Sequence, residues 1–317
     1  MTGQETKTAR CAVLVGPYTS GKTTLLEALL FAAEAIPRKG SVPQGNTLGD
    51  ATPEARERQM TVEPNVARCD YLGDSWSFID CPGSVELSQE RNAALMAADV
   101  AIIVAEPEPS RALTLAPIFK ILDDYKIPHI LFVNKMDKTE VRVRDLLESL
   151  QAVSSKPLVL RQVPIRNGEQ LEGFVDLVSE RAYRYKEGAA SDLVAMPEAI
   201  KDREDEARQE MLESLADYDD TLLEQLLEDK IPATEEIYDQ LTKDLQEDLI
   251  VPVLFGSAEA SHGITRLWKA LRHETPPAAK TAERLGVPLG QDFTASVIRI
   301  YHQAIAGLLS IARVPSN

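Results

Sequence analysis

Short apolar runs alternate with helical patterns along most of the chain. Four nearly continuous apolar runs are typical of strands buried on both faces: Cys11–Val15, Val100–Val104, His129–Val133 and Ile250–Phe255. Helical patterns cover Thr24–Ala33, Gln89–Ala98, Leu113–Tyr125, Val141–Ala152 and Ile264–Leu271. Two further strands, Val66–Leu72 and Ser75–Ile79, are predicted to form a hairpin that turns at Gly73 and Asp74. The alternation predicts an α/β fold with a mixed, mostly parallel sheet covered by helices on both faces.

Two regions interrupt this alternation. The first contains strand-like runs at Leu158–Ile165, Gly173–Val178 and Ala182–Tyr185, followed by acidic helices over Pro197–Asp248. The second begins with a Pro-rich joint, Thr275–Ala279, and continues with predicted strands at Phe293–Tyr301 and Leu308–Val314. We therefore predict a main domain at 1–157 and 249–280, an inserted α+β subdomain at 158–248, and the start of a β-domain at 281–317. Two strands are marginal as a domain, so we expect the chain to be part of a longer protein.

Composition and charge narrow the class of protein. The 317 residues carry a net charge of −16, but Pro197–Ile250, with 19 acidic and 5 basic residues, contributes −14 of it. The acidity therefore belongs to one segment and does not exclude a nucleic-acid partner elsewhere. The N-terminus, MTGQETKTAR, has no signal-peptide pattern, and no apolar run has the length of a membrane span. Cys11, Cys69 and Cys81 lack metal-ligand spacing, so we expect reduced thiols and a cytoplasmic protein.

The segment GPYTSGKT, Gly16–Thr23, carries the strongest chemical signal. Glycines let the backbone wrap closely around phosphate oxygens at the N-terminus of a helix, where the helix dipole also favours anions. Lys22 is expected to reach the β- and γ-phosphates, and Thr23 to offer its hydroxyl to Mg²⁺. The predicted phosphate contacts are Gly16, Pro17, Tyr18, Thr19, Ser20, Gly21, Lys22, Thr23 and Thr24. This loop alone does not choose between ATP and GTP.

A second motif, Asp80-Cys81-Pro82-Gly83, ends a predicted strand. There a carboxylate can meet the shell of Mg²⁺ and the N–H of Gly83 can meet the γ-phosphate. A similar spacing at Asp70–Gly73 lies ahead of a strand and in a hairpin turn, so position favours Asp80. Upstream, the polar segment Gly40–Thr61 is too long for a simple connector, which is typical of a functional or mobile loop.

The third motif, Asn134-Lys135-Met136-Asp137, follows a buried strand and selects the base. The carboxylate of Asp137 can accept the N1 and N2 hydrogens of guanine, a pair that adenine does not present. Lys135 can lie along the face of the ring, and Asn134 can tie this loop to the phosphate loop. After the last buried strand, backbone N–H groups of Gly256, Ser257 and Ala258 are placed to meet guanine O6.

The ordered set GPYTSGKT, ERQMT, DCPG, NKMD and GSA resembles translational GTPases, most closely elongation factor G. The resemblance covers nearly the whole chain and implies a GTPase domain, with Thr61 as a second Mg²⁺ ligand that closes over the γ-phosphate. The 123 positions between Asn134 and Ser257 exceed what one strand and one helix need, and the family carries an inserted subdomain there, which Leu158–Asp248 fits. In the family that subdomain contacts the ribosomal stalk, so the resemblance implies the same contact here. Phe293 onward is similar to the first hairpin of the family's second domain, a β-barrel.

Three departures from the family pattern involve four positions. Ser84 stands where the family usually has a histidine that orients the attacking water, and losing such a group typically costs on the order of 10² to 10⁴ in rate. Thr19 and Pro17 replace an aspartate and a histidine of the phosphate loop. Gln59 replaces a glycine, and the stiffer backbone is expected to alter loop closure. The departures indicate a divergent paralogue.

Three functions follow as hypotheses. The first is a monomeric cytoplasmic GTPase that uses Mg²⁺ and acts with the ribosome, with Lys22, Thr61, Gly83 and Ser84 as its catalytic set and Thr23, Thr61 and Asp80 around the metal. The second is a GTP-loaded switch that hydrolyses little and protects or regulates ribosomes, which Ser84 motivates. The third, an ATP-using enzyme, requires Asp137 to be incidental. By family resemblance, the partners are ribosomal RNA and the stalk protein, with no membrane.

Overall fold

The computed structural model describes residues 9–49, 52–168, 170–186, 189–287, 296–303 and 307–313. Its strands are β1 (Ala9–Val15), β2 (Asn65–Tyr71), β3 (Asp74–Asp80), β4 (Val100–Ala105), β5 (His129–Val133), β6 (Leu158–Leu160), β7 (Gln162–Asn167), β8 (Gln170–Asp176), β9 (Arg181–Lys186), β10 (Ala189–Val194), β11 (Val251–Phe255), β12 (Ser296–Gln303) and β13 (Gly307–Arg313). Its α-helices are α1 (Lys22–Ala32), α2 (Pro53–Arg58), α3 (Ser88–Met96), α4 (Ala116–Asp124), α5 (Val143–Gln151), α6 (Lys201–Ala216), α7 (Asp220–Leu227), α8 (Thr234–Gln246), α9 (Ile264–Glu274) and α10 (Ala278–Arg284).

A seven-stranded sheet has the strand order β2-β3-β1-β4-β5-β11-β6. β3 pairs parallel to β1, and β11 pairs parallel to β5 and β6, whereas β2 pairs antiparallel to β3. The predicted α/β fold with a mixed, mostly parallel sheet is thereby confirmed. The hairpin between β2 and β3 turns at Leu72 and Gly73, one residue earlier than predicted, and both residues have positive φ.

The described residues form two compact units. The first comprises the described parts of Met1–Ile102, Ile121–Pro128 and Thr275–Asn317, and the second comprises those of Ile103–Lys120 and His129–Glu274. None of the helices in the described part of the chain is long and apolar enough to cross a bilayer.

In the first unit, β1 forms the centre of the core, and its residues from Cys11 onward are buried. α10 begins inside the segment predicted as a Pro-rich joint. Thr281 of α10 donates to the buried Asp99, whose other oxygen accepts the N–H of Cys11 at 2.6 Å. β12 and β13 pair antiparallel, while residues 293–295 and 314 of the predicted strands lie outside the described residues, as do residues 1–8 of the N-terminus.

In the second unit, β7 to β10 form an antiparallel sheet of their own, in the order β10-β9-β8-β7. Buried side chains of this sheet and of α6 to α8 share one apolar cluster, which includes Val175, Leu215 and Leu241. The prediction of one strand over Leu158–Ile165 was wrong, because the segment divides at Arg161 into β6 and β7 of different sheets. β10 was not predicted at all.

Arg161 explains why the segment Leu158–Ile165 divides into two strands. Its side chain is fully buried and donates to Glu274 at 2.8 Å, while its backbone N–H donates to Val253. A second buried pair lies at the end of β8, where Asp176 accepts from Arg266 Nε at 2.6 Å and from the backbone N–H of Ser179 at 3.0 Å. Buried charges are tolerated only when they are paired in this way.

We expect Asp176→Asn to lower the free energy of unfolding by about 3 kcal/mol, because it leaves the buried Arg266 without its counter-charge. Burial alone raises the pKa of Asp176, but Arg266 and Arg161 outweigh it and hold that pKa below its usual range. The carboxylate is therefore charged in the folded and unfolded chain above about pH 5, and the loss is constant from pH 5 to 7. Asp192→Asn removes an exposed ion pair with Lys186 and serves as the control. Equal denaturation midpoints for the two variants would contradict this role.

Candidate functional site

The phosphate loop connects β1 to α1, as its motif predicts. β1 ends at Val15, and α1 begins at Lys22 after Gly21, which has φ of 92°. Glycine adopts this left-handed conformation without steric cost, whereas Thr19, at φ 69°, adopts it against the usual preference. Lys22 is almost fully buried and donates from Nζ to the carbonyl of Pro17 at 2.9 Å. The loop thus presents the N-terminus of a helix with a buried cation beside it.

Gly83 lies against this loop so closely that no other residue fits without movement. A Cβ atom at Gly83 would stand 2.5 Å from Lys22 Nζ and 2.8 Å from the backbone N of Tyr18. Its neighbour Cys81 is fully buried, and burial together with the adjacent Asp80 raises the pKa of the Cys81 thiol, which stays neutral. The end of β3 therefore contributes the Asp80 carboxylate to this place, and the segment that follows contributes backbone.

The three residues proposed from sequence as metal ligands converge. The Oδ2 atom of the fully buried Asp80 accepts from Thr23 Oγ1 at 2.7 Å and from Thr61 Oγ1 at 3.2 Å, and the two hydroxyls are 3.0 Å apart. A carboxylate and two hydroxyls are the hard oxygen donors that suit Mg²⁺. The donor set fits that ion.

The segment between α1 and Thr61 is held by a residue that the motifs did not indicate. Glu27 of α1 is buried, and its two carboxylate oxygens accept the backbone N–H groups of Gly40 and Leu48, each at 2.7 Å. Next in the chain, Gly49 lies against Thr23, since a Cβ there would stand 3.2 Å from Thr23 Cγ2. A glutamate one turn after the phosphate loop, followed by a long polar segment, is the signal that could have indicated this role.

Gln59 and Ser84, two departures from the family pattern, occupy special backbone positions. Gln59 is the C-cap of α2 with φ of 49° and ψ of 40°, a conformation that suits glycine. Ser84 precedes the 3₁₀ helix Val85–Leu87 in an extended conformation, and its hydroxyl does not cap that helix.

Two loops of the second unit form the part predicted to bind the base. Asn134 follows β5, and its Oδ1 accepts the N–H of Ala258 at 2.9 Å, while the N–H of Met136 donates to Gly256 at 3.0 Å. Asp137 lies in the 3₁₀ helix Met136–Lys138, and its Oδ1 is buried without a hydrogen-bond partner among the described residues. A buried carboxylate oxygen without a donor is costly unless a ligand supplies the donor.

The antiparallel sheet formed by β7 to β10 contacts both of these loops. Arg166 of β7 donates to the carbonyl of Met136 at 3.0 Å. The ring of Tyr185 stacks on His262 with a centroid distance of 4.3 Å, and backbone bonds join His262 to Ser257 in both directions. Arg166, Tyr185 and His262 carry no motif, so sequence reasoning did not assign them to the site. Their contacts depend on the folding of the insertion.

The chain matches the model of the elongation factor Tu GTP binding domain family over residues 7–277. It is 46% identical over 316 residues to the elongation factor G-like protein of Synechocystis sp., covering 99% of this chain and 47% of that protein. It is 32% identical over 254 residues to elongation factor G of Thermotoga petrophila, covering 80% and 36% respectively. A crystal structure of a Thermus thermophilus protein superposes with a TM-score of 0.87 at 28% identity, covering 98% of this chain and 46% of that one. The chain thus spans about half or less of the length of these relatives.

We expect Glu27→Gln to loosen the segment that follows α1. An amide keeps one acceptor but directs its NH₂ group at a backbone N–H, which leaves that donor unsatisfied at a cost of about 1–3 kcal/mol. Trypsin should then cut at Lys39, Arg56 and Arg58 about tenfold faster, because the locally open population rises. Glu34→Gln, exposed at the end of the same helix, is the matched control. Identical cleavage rates in the two variants would show that Glu27 does not hold the segment.

Proposed function

Because the chain belongs to the elongation factor Tu GTP-binding domain family, and within it to the elongation factor G group of translational GTPases, we propose that it binds GTP and GDP with Mg²⁺ and hydrolyses GTP to GDP and phosphate in connection with the ribosome. The observation that carries the proposal is the buried Oδ1 of Asp137, which has no hydrogen-bond partner in the described part of the chain. Guanine supplies two adjacent N–H donors to a carboxylate at that place, and adenine does not.

The other residues take roles that their contacts support. Backbone N–H groups from Gly16 to Thr24 surround the β- and γ-phosphates, and Lys22 neutralises charge that develops there. Gly83 leaves room for the γ-phosphate beside Lys22. Thr23 and Thr61 would hold Mg²⁺ directly and Asp80 through water. The bound ion would supply charge stabilisation across the β- and γ-phosphate oxygens.

Residues of the second unit would contact the base. Lys135 would pack along the ring, and the backbone N–H groups of Gly256, Ser257 and Ala258 would face guanine O6. Asn134 already orders these loops through Ala258. Together with Asp137, this set recognises guanine and no other common base, which disfavours an ATP-using enzyme.

The proposed organisation keeps the main domain at 1–157 and 249–280, the inserted subdomain at 158–248 and a β-domain from 281. The antiparallel sheet β7 to β10 and helices α6 to α8 support the insertion, although β6 belongs to the larger sheet. As partners we propose ribosomal RNA and the stalk protein, for a cytoplasmic monomer without a membrane contact. The acidic helices of the insertion suit a protein partner better than RNA.

One residue favours a second function. Ser84 is too short to place a hydrogen-bonding group where a histidine side chain would reach, and its hydroxyl does not cap the following helix. A chain that binds GTP without a group to orient the attacking water would act as a slowly hydrolysing switch on the ribosome, by occupancy.

Calorimetry with GDP and ADP tests the base specificity. The chain should bind GDP at least about 100-fold more tightly than ADP, and Asp137→Asn should weaken GDP binding by a similar factor, since a buried charged hydrogen-bond pair is lost. Xanthosine diphosphate should gain affinity in this variant, because its C2 carbonyl accepts from the new amide. Asp145→Asn, an exposed change in α5, is the control. Equal binding of ADP and GDP would refute the proposed function.

Single-turnover hydrolysis with and without ribosomes separates the two functions. For the slowly hydrolysing switch, GTP stays bound and intact in the wild type, and Ser84→His raises the rate by about 10² or more. For the working GTPase, ribosomes accelerate the wild type and Ser84→His adds little. Ser84→Ala shows whether the serine hydroxyl itself takes part, since an unchanged rate excludes it.

A further inference from the structure

A carboxylate outside the recognised motifs contacts the lysine that is proposed to pack on the base. Glu106 Oε1 lies 2.5 Å from Lys135 Nζ, and Glu106 Oε2 pairs with the guanidinium of Arg111. Only 12% of the Glu106 side chain is exposed, compared with 33% for Lys135 and 35% for Arg111. One mostly buried anion therefore pairs with two more exposed cations.

The backbone holds Glu106 at this place. It directly follows β4, and Pro107 after it disfavours helical φ and ψ at Glu106. The N–H of Asn134 donates to the carbonyl of Ala105 at 2.8 Å, and Thr139 Oγ1 donates to the carbonyl of Pro107 at 3.5 Å. The two residues that flank Glu106 are thus bonded to the two ends of the loop that contains Lys135.

Lys135 needs such support. Its φ of 61° is left-handed, which a lysine adopts at a cost, and its four-carbon side chain has many rotamers in water. A carboxylate that holds the ammonium group before the nucleotide arrives reduces the entropy that binding must remove. It also offsets the repulsion between Lys135 and Arg111.

We propose that Glu106 is a positioning residue for guanine nucleotide binding, which orders Lys135 so that its methylene chain is available to the face of the base. The inference rests on the proposed function and adds a residue to it. Glu106 acts through the stacking of Lys135 on the base, so it raises the affinity for every purine nucleotide that enters the site. The contact between Asp137 and the N1 and N2 hydrogens does not depend on Glu106.

The test measures the binding of GDP and of inosine diphosphate, which lacks the N2 amino group, to the 317-residue chain. Glu106→Gln should weaken both about five- to tenfold, because the amide no longer neutralises the two cations. Glu108→Gln makes the same change two residues later, at an exposed carboxylate that accepts from Ser110, and should leave both affinities unchanged. Wild-type affinity in Glu106→Gln would overturn the inference.

A double-mutant cycle separates positioning from general loss of structure. In a Lys135→Ala background, Glu106→Gln should change GDP affinity less than twofold. If Glu106→Gln still lowers GDP affinity five- to tenfold in that background, Glu106 acts through the fold. If Glu106→Gln lowers the affinity for GDP but not for inosine diphosphate, its effect lies at Asp137. Either result overturns the inference. The affinities of the wild type for GDP and ADP are measured before any variant. If the wild type does not prefer GDP, the proposed function itself has failed.

Discussion

One parallel pair of strands in each compact unit carries the loops of the candidate site, and the site depends on these two pairs. In the first unit, Leu14 of β1 is in register with Asp80 of β3, so the phosphate loop and the segment containing Gly83 leave the same edge of the sheet. In the second unit, Val133 of β5 is in register with Phe255 of β11, and the two base loops leave their edge together. Parallel strands place loops in this way because their carboxyl ends coincide.

Carboxylates that are buried or mostly buried then hold the loops that follow these strands. Glu27 accepts two backbone N–H groups of the segment leading to Gly49, and Asp80 joins Thr23 to Thr61. Glu106 holds Lys135 in the same manner. A carboxylate can do this because it offers two oxygens and several lone pairs to donors from different parts of the chain, and burial strengthens each bond. The price of such an arrangement is that removing one partner leaves the others unsatisfied.

The departures from the family pattern have different physical consequences. Gln59 occupies a left-handed C-cap, so its replacement of glycine costs backbone energy without removing a contact. Thr19 carries a similar cost at φ 69° in the phosphate loop. Ser84, in contrast, has an ordinary extended backbone conformation.

The sequence by itself determined the α/β class and the strands that carry the motifs, and it predicted Thr23, Asp80 and Asp137 as site residues, because apolar periodicity and loop chemistry are local properties. The tertiary structure alone decided which side chains meet. Arg161 divides the segment predicted as one strand, and Glu106 contacts a lysine 29 positions later. Such pairs are set by three-dimensional proximity and by the need of a buried charge for a partner, and neither leaves a period or a spacing in the chain.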